Sequence, residues 1–217
     1  MARFSLIVFD WDGTLMDSTA TIAACVQATA KDLGVPVPSD EQARHIIGLG
    51  LVDALALAMP DLAADRYGEA TERYRYHYLA RDNNLLLFDG VAELISGLES
   101  AGHLLAVATG KSRHGLDRAF AVSGLGKHFR ASRCADECHS KPHPQMLDEL
   151  MAEFGVSPAS TLMIGDTTHD LLMARNAGVA ALGVTHGAHP REALESLTPL
   201  CCADDVAELR AWLLANN

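Results

Sequence analysis

The run Phe4-Ser-Leu-Ile-Val-Phe9 is apolar at every position but one, and it ends on Asp10-Trp11-Asp12-Gly13-Thr14. An unbroken apolar run of this kind suits a strand covered on both faces, the situation of a strand inside a parallel sheet. At its carboxyl end such a strand delivers two carboxylates. Asp10 and Asp12 are two apart, so on extended backbone their side chains face the same way. The rest of the chain must therefore supply partner strands, helices for both faces of the sheet, and something that tolerates clustered acids.

Partner strands are expected over residues 103–109, 129–134, 161–164 and 179–184, with 199–203 as a further candidate. Helical patterns run over residues 91–100, 113–123, 144–154 and 170–177. Each of these has a glycine at or just past its end, where positive φ costs little. Strands alternating with helices imply an α/β fold with a parallel sheet and helices on both faces. Residues 16–84 break the alternation. They read as helices only, interrupted at 34–39, 48–50 and 60–61, and are too long an excursion for an ordinary crossover. The expected organisation is a core of residues 1–15 and 85–217, with residues 16–84 inserted as an all-helical cap.

Ligands of open α/β sheets bind beyond the carboxyl ends of the strands. At those ends stand Asp10 and Asp12, then Thr109-Gly110-Lys111-Ser112, then Gly165-Asp166 with Asp170 four residues on. Lys141-Pro142 precedes a helix. Acids converging on one small region repel one another unless a divalent cation joins them, and hard oxygen ligands suit Mg²⁺. The metal would also reconcile an anionic substrate with a chain of net charge -11. One carboxylate can attack phosphorus, and its neighbour can serve the leaving oxygen and the hydrolytic water. Gly13 lets backbone N–H groups approach an anion. Thr109 and the N–H of Gly110 can hold phosphoryl oxygens at a helix start, and Lys141 can neutralise their charge.

Taken together, Asp10-x-Asp12-Gly13-Thr14, Thr109, Lys141 and Gly165-Asp166-x-x-x-Asp170 resemble, in order, the four motifs of the haloacid-dehalogenase superfamily of hydrolases. The resemblance covers the whole chain and points to the phosphoglycolate-phosphatase-like branch, to which the ending Gly183-Val184-Thr185-His186-Gly187 is also similar. It implies a Rossmann-like core with a helical cap, with Asp10 as nucleophile and Asp12 as acid/base. It further implies Mg²⁺ held by Asp10, the backbone carbonyl of Asp12, Asp166 and Asp170, the last as a direct or outer ligand. Trp11 departs from the aliphatic residue usual there, and Gly110-Lys111-Ser112 departs from the usual Asn-Lys-Pro.

The expected activity is hydrolysis of a small phosphorylated metabolite, phosphoglycolate-like, through an aspartyl-phosphate. The alternatives sharing this pattern are a phosphomutase or a non-catalytic regulatory binding protein, and the retained acids argue against the latter. Asp12 argues against a dehalogenase, which needs no acid there, and Lys31 alone in the cap argues against a phosphonate-cleaving enzyme. Specificity is expected from the cap: Gly48-Leu49-Gly50 as a close-approaching turn, and Arg44 or His45 as an anchor for a substrate carboxylate.

Other patterns carry less. Thr109 to Ser112 lacks the earlier glycine of a nucleotide P-loop, since Leu105 stands there. Cys134, Cys138, His139 and His143 could chelate zinc, but adjacent Cys138 and His139 make an awkward tetrahedral pair. Arg73-Tyr74-Arg75-Tyr76-His77-Tyr78 reads as a cap–core packing face rather than a base-stacking one. His169 is expected at solvent or behind the metal ligands.

The acidic charge repels nucleic acid and anionic membranes. No apolar run approaches the roughly 18 residues that would span a bilayer. Met1-Ala2-Arg3-Phe4 opens no signal-peptide pattern, and five irregularly spaced cysteines suggest thiols rather than a disulfide framework. A cytoplasmic monomer or homodimer is expected.

Overall fold

The computed structural model describes residues 3–81 and 85–216. The expected boundary at Asn84, and the terminal residues Met1, Ala2 and Asn217, lie outside them. The sheet has six parallel strands: β1 (Leu6–Phe9), β2 (Leu104–Thr109), β3 (Ala131–Cys134), β4 (Thr161–Gly165), β5 (Ala180–Val184) and β6 (Cys202–Ala203), in the order β3-β2-β1-β4-β5-β6. β1 lies between β2 and β4, at the point where the strand order reverses. Leu6 pairs with Leu104 and Thr161, and Phe9 pairs with Val107 and Ile164. This register brings Asp10, Thr109 and Asp166 to one edge of the sheet.

Both faces of β1 are covered, as its sequence requires, and the two-residue period decides which side chain goes where. Ile7 and Phe9 join a cluster with Val91, Leu94, Ile95, Leu116, Val206, Leu209 and Leu213. Leu6 and Val8 join another with Met146, Leu147, Leu150, Met173 and Ala174. Helices Val91–Ser100, Arg113–Ser123 and Val206–Asn216 therefore lie on one face, and Gln145–Phe154 and Thr168–Asn176 on the other. Trp11 is fully buried and packs edge-on against Phe120 and Phe129, at 5.2 and 6.3 Å. The residue that departs from the aliphatic pattern thus fills an aromatic pocket beside the site.

Among the described residues of 16–84 stand four α-helices: α1 (Thr19–Leu33), α2 (Asp40–His45), α3 (Leu51–Ala58) and α4 (Tyr67–Leu79). They share a core of their own, with Val26, Ala30, Ala43, Leu55, Met59 and Ala70 buried together. The breaks fall at the glycine and proline positions read from the sequence. Gly34 closes α1 at φ 69°, and Ser39 opens α2 with a capping box to Gln42. No helix among the described residues is long and apolar enough to cross a membrane.

Two differences from the expected elements have local causes. The helix expected from residue 170 begins at Thr168, because Thr167 caps it and Asp170 returns the bond to the Thr167 backbone. Helices Arg191–Glu195 and Val206–Asn216 were not anticipated. The first is little more than one turn, and the second has apolar residues scattered around its circumference rather than along one stripe.

The four-helix insertion meets the sheet through its glycine turn. A Cβ on Gly110 would strike the backbone carbonyls of Gly48 and Leu49. Backbone cannot yield as a side-chain tip can, so Gly110→Ala is expected to push this turn off the sheet. The variant should keep the core's melting transition within a few degrees, lose about tenfold or more in kcat/KM, and expose the insertion to limited proteolysis. Unchanged turnover would show that the close approach has no functional part.

Candidate active site

At the carboxyl end of β1, Asp10 is fully buried. Its Oδ1 accepts a hydrogen bond from Lys141 Nζ at 2.6 Å, and its Oδ2 is buried without a partner. The same ammonium donates to Asp170 Oδ1 at 2.7 Å. Asp170 is fixed from behind, its Oδ2 accepting from the Thr167 N–H at 3.1 Å and the Thr167 hydroxyl at 2.6 Å. Asp166 is fixed likewise, by the Thr14 hydroxyl at 2.8 Å and the Ala188 N–H at 2.7 Å. Space for these carboxyl groups comes from glycine: a Cβ on Gly13 or Gly187 would collide with Asp166, and one on Gly165 with Asp170.

Asp10, Asp166 and Asp170 each bring a carboxylate oxygen within 4.8 Å of the others. Three carboxylates against one ammonium leave two negative charges in a buried site. The consequences are directional. Burial pushes Asp10 up to about 7 against the pull of Lys141, with Asp170 adding to the rise. Burial, then Asp10 and Asp170, raise Asp166 well above the usual carboxylate range. Burial works against the charge of Lys141, but Asp10 and Asp170 outweigh it and keep the lysine cationic. The buried Asp10 oxygen without a partner, the converging oxygens and the uncompensated charge all fit a hard divalent cation. Among the described residues no other group of His, Cys, Asp and Glu converges in this way. Cys134, Cys138, His139 and His143 do not, and Cys138 points its thiol toward Glu149 at 3.8 Å.

Asp12 is oriented by two residues that the sequence reading did not assign. Ser18 donates its hydroxyl to Oδ1 at 2.7 Å, and Lys111 Nζ lies 3.0 Å from Oδ2. Lys111 also donates to the hydroxyl of Tyr78, on α4, at 2.8 Å. The sequence held a signal for Lys111, since it lies two residues past the strand-end Thr109, but nothing there revealed Tyr78 as its partner. Thr109 is buried at the end of β2, its hydroxyl accepting the Lys111 N–H at 3.2 Å. The hydroxyl proton remains for a second acceptor.

Between the sheet and the insertion lies a cavity of about 340 Å³. Asp10, Asp12, Thr109, Gly110 and Lys111 line one end, α1, α3, α4 and the 46–50 turn line most of the rest, and His114, Arg118, Ala135 and Asp136 complete it. Arg44, expected as a substrate anchor, is not among the lining residues. Its Nε donates to Asp40 at 2.8 Å and an η nitrogen donates to Thr19 at 3.2 Å, which turns the guanidinium aside. Its neighbour His45 stacks on His189 at 5.0 Å, and its carbonyl lies 2.8 Å from His169 Nε2. His169 is buried at this contact rather than at solvent, and burial holds its pKa down.

A family profile described as haloacid dehalogenase-like hydrolase matches residues 7–184. The chain is a haloacid dehalogenase-like hydrolase. It is 37% identical over 212 residues to a probable phosphatase, IndB, of Dickeya dadantii, covering 94% of this chain and 91% of that one. It is 32% identical to a phosphoglycolate phosphatase of Vibrio parahaemolyticus, covering 94% and 93%. A crystal structure of a predicted phosphoglycolate phosphatase from Haemophilus somnus superposes with a TM-score of 0.86 at 27% identity, over 98% of this chain and 99% of that one. The hydrolase is thus a phosphatase of the phosphoglycolate-phosphatase-like branch, on an α/β fold with a parallel sheet.

The charge imbalance gives a pH test. Between pH 3.8 and about 7 the folded hydrolase keeps a proton on Asp10 that the unfolded chain has released. The native state binds more protons in that window, so metal-free stability falls as pH rises through it. A cation competes with the same proton, so its stabilising effect grows over the same range. At one fixed Mg²⁺ concentration, the rise in Tm should be several degrees larger at about pH 8 than at about pH 5.5. Equal shifts at both would place the metal elsewhere.

Proposed function

We propose that this phosphatase is a Mg²⁺-dependent phosphomonoester hydrolase for a small phosphorylated metabolite, working through an aspartyl-phosphate on Asp10. The observation that carries the reading is the state of Asp10. One oxygen is pinned by Lys141 and the other is buried, unpaired and placed at the end of the cavity.

Asp10 Oδ2 attacks phosphorus while the bond to the leaving oxygen breaks. Asp12 gives that oxygen a proton, so the product departs as an alcohol. Asp12 then takes a proton from water, whose oxygen attacks the same phosphorus and frees phosphate, restoring Asp10. Ser18 and Lys111 keep the Asp12 carboxyl aimed through both steps. The Thr109 hydroxyl and the Gly110 N–H, at the start of the following helix, hold phosphoryl oxygens. Lys141 compensates negative charge on the transferring group. Gly13, expected to lend its N–H to an anion, instead donates it to the Met16 carbonyl at 2.8 Å, and its part at φ 82° is to leave room for Asp166. Asp10, the Asp12 carbonyl, Asp166 and Asp170 would hold Mg²⁺, which supplies charge neutralisation and polarises the phosphoryl group when bound.

Residues 16–84 are proposed to act as a cap that excludes water from the site, with residues 1–15 and 85–217 as the catalytic core. The Tyr78–Lys111 bond and the fit of the 48–50 turn onto Gly110 support that role. A carboxylate-bearing leaving group such as glycolate, as in the Vibrio relative's substrate, is one candidate. With Arg44 turned aside, its anchor would fall to other groups at the cavity, such as Lys111 or Arg75. A cytoplasmic setting fits five cysteines that are all free thiols.

Asp10→Asn is expected to lower kcat by roughly a thousandfold or more while the protein still melts cooperatively. Wild type quenched during turnover should carry a hydroxylamine-labile phosphoryl group on Asp10. Excess EDTA should abolish phosphate release and Mg²⁺ restore it. Substantial turnover by the Asn variant would overturn the covalent route, and activity persisting in EDTA would overturn the metal.

A further inference from the structure

The phosphoryl end of the cavity is polar, but most of its wall is not. Ile22 and Val26 from α1, Leu55 and Val52 from α3, and Tyr74 and Tyr78 from α4 all line it. The two tyrosine rings stack at 5.8 Å with 20° between their planes. Val52 is 55% exposed and lines the cavity from its solvent side. It stands where the cavity opens, continuous with the buried Val26 and Leu55. Apolar side chains therefore make up most of the wall, with Thr71, Arg75, His114 and Arg118 set among them.

The volume of about 340 Å³ lies within the roughly 300–1,000 Å³ of ordinary small-molecule sites. A two-carbon hydroxy acid would fill little of it: its carboxylate could reach a cation such as Lys111 or Arg75, but it would leave most of the aliphatic wall uncovered and gain nothing from it. A flat ring has the converse fit: its faces meet the Tyr74–Tyr78 pair and its edges the aliphatic wall. We infer that the hydrolase selects phosphomonoesters whose leaving group carries an apolar ring system, over short hydroxy-acid phosphates. The inference rests on the phosphatase reading and specifies the substrate class of that same site.

The test compares esters of aliphatic alcohols, all protonated on leaving, so that differences in leaving-group chemistry do not mask binding. With Mg²⁺ present, kcat/KM for phosphate release is measured for 2-phenylethyl phosphate, glycerol phosphate and 2-phosphoglycolate. The ring substrate should lead both others by roughly tenfold or more, chiefly through a lower KM. Tyr74→Ala should reduce that lead severalfold. Tyr74 also packs in the insertion core, so Val52→Glu is the second variant: it is exposed, leaves the fold alone and puts a charge at the apolar mouth. It too should cut the ratio of ring to non-ring kcat/KM. Phosphate release without a ring preference, or with phosphoglycolate ahead, would overturn the inference and leave the phosphatase reading standing. An unchanged ratio in both variants would overturn it as well. Release from none of the three would sink the phosphatase reading itself, and the inference with it.

Discussion

A single buried lysine divides its bonds between two carboxylates while a third stands within reach. Lys141 holds Asp10 and Asp170 from a position where its side chain is itself inaccessible. A buried ion pair of balanced charge is a structural element of uncertain worth. An unbalanced one is different. Burial raises the proton affinity of Asp10 and Asp166, the neighbouring carboxylates add to it, and the proposed divalent cation would relieve both. The glycines at 13, 165 and 187 make room for these side chains. The threonines at 14 and 167 each donate a hydroxyl to one of them. Stability has been given up at this edge of the sheet to keep charged groups at close range.

The sheet makes that concentration geometrically inevitable. With β1 at the reversal of strand order, its two neighbours carry the chain away in opposite directions, and a cleft opens beyond its carboxyl end. The register then places Thr109 on one side of Asp10 and Asp166 on the other. Lys141 arrives from the loop after β3 and Asp170 from the first turn after β4. No two of these groups except Asp166 and Asp170 are near in sequence. The parallel sheet, whose connections all return to the same edge, brings them together.

This explains which parts were legible in the sequence. Asp10, Asp12, Thr109, Asp166 and the strands that carry them are readable because each sits at the end of an apolar run, and strand-end position is a local property. The helix breaks in the insertion were readable for the same reason, since Gly34, Gly48 and Pro60 act on their own backbone. The Thr167 cap was equally local but was passed over, which cost two residues at the helix start. Ser18, Tyr78 and the aim of Lys111 were not readable, because they depend on how the insertion lies against the sheet. Arg44 failed for a related reason. Its spacing from the glycine turn was right for reach, but Asp40 one turn earlier and Thr19 on α1 compete for the guanidinium, and only packing decides that competition. The helix at Val206–Asn216 was missed because its apolar residues mark no single face.

The proposed function assigns chemistry and selection to different parts of the chain, which touch at named side chains. Every group placed on the phosphoryl transfer comes from the sheet edge. Nearly all the apolar wall of the cavity comes from the four-helix insertion. Several contacts join them, among them the 48–50 turn against Gly110, Ser18 on Asp12, the His45 carbonyl against His169 and His189, and Tyr78 on Lys111. The last bears on the chemistry, because the other bond of Lys111 is to Asp12. A leaving group that displaced Tyr78 would loosen the ammonium that orients the acid/base. One that packed beside the ring would leave it in place. With the roles proposed above, selection by the insertion need not act through affinity alone, since Tyr78, which lines the cavity, also reaches through Lys111 the Asp12 carboxyl assigned to protonate the leaving oxygen.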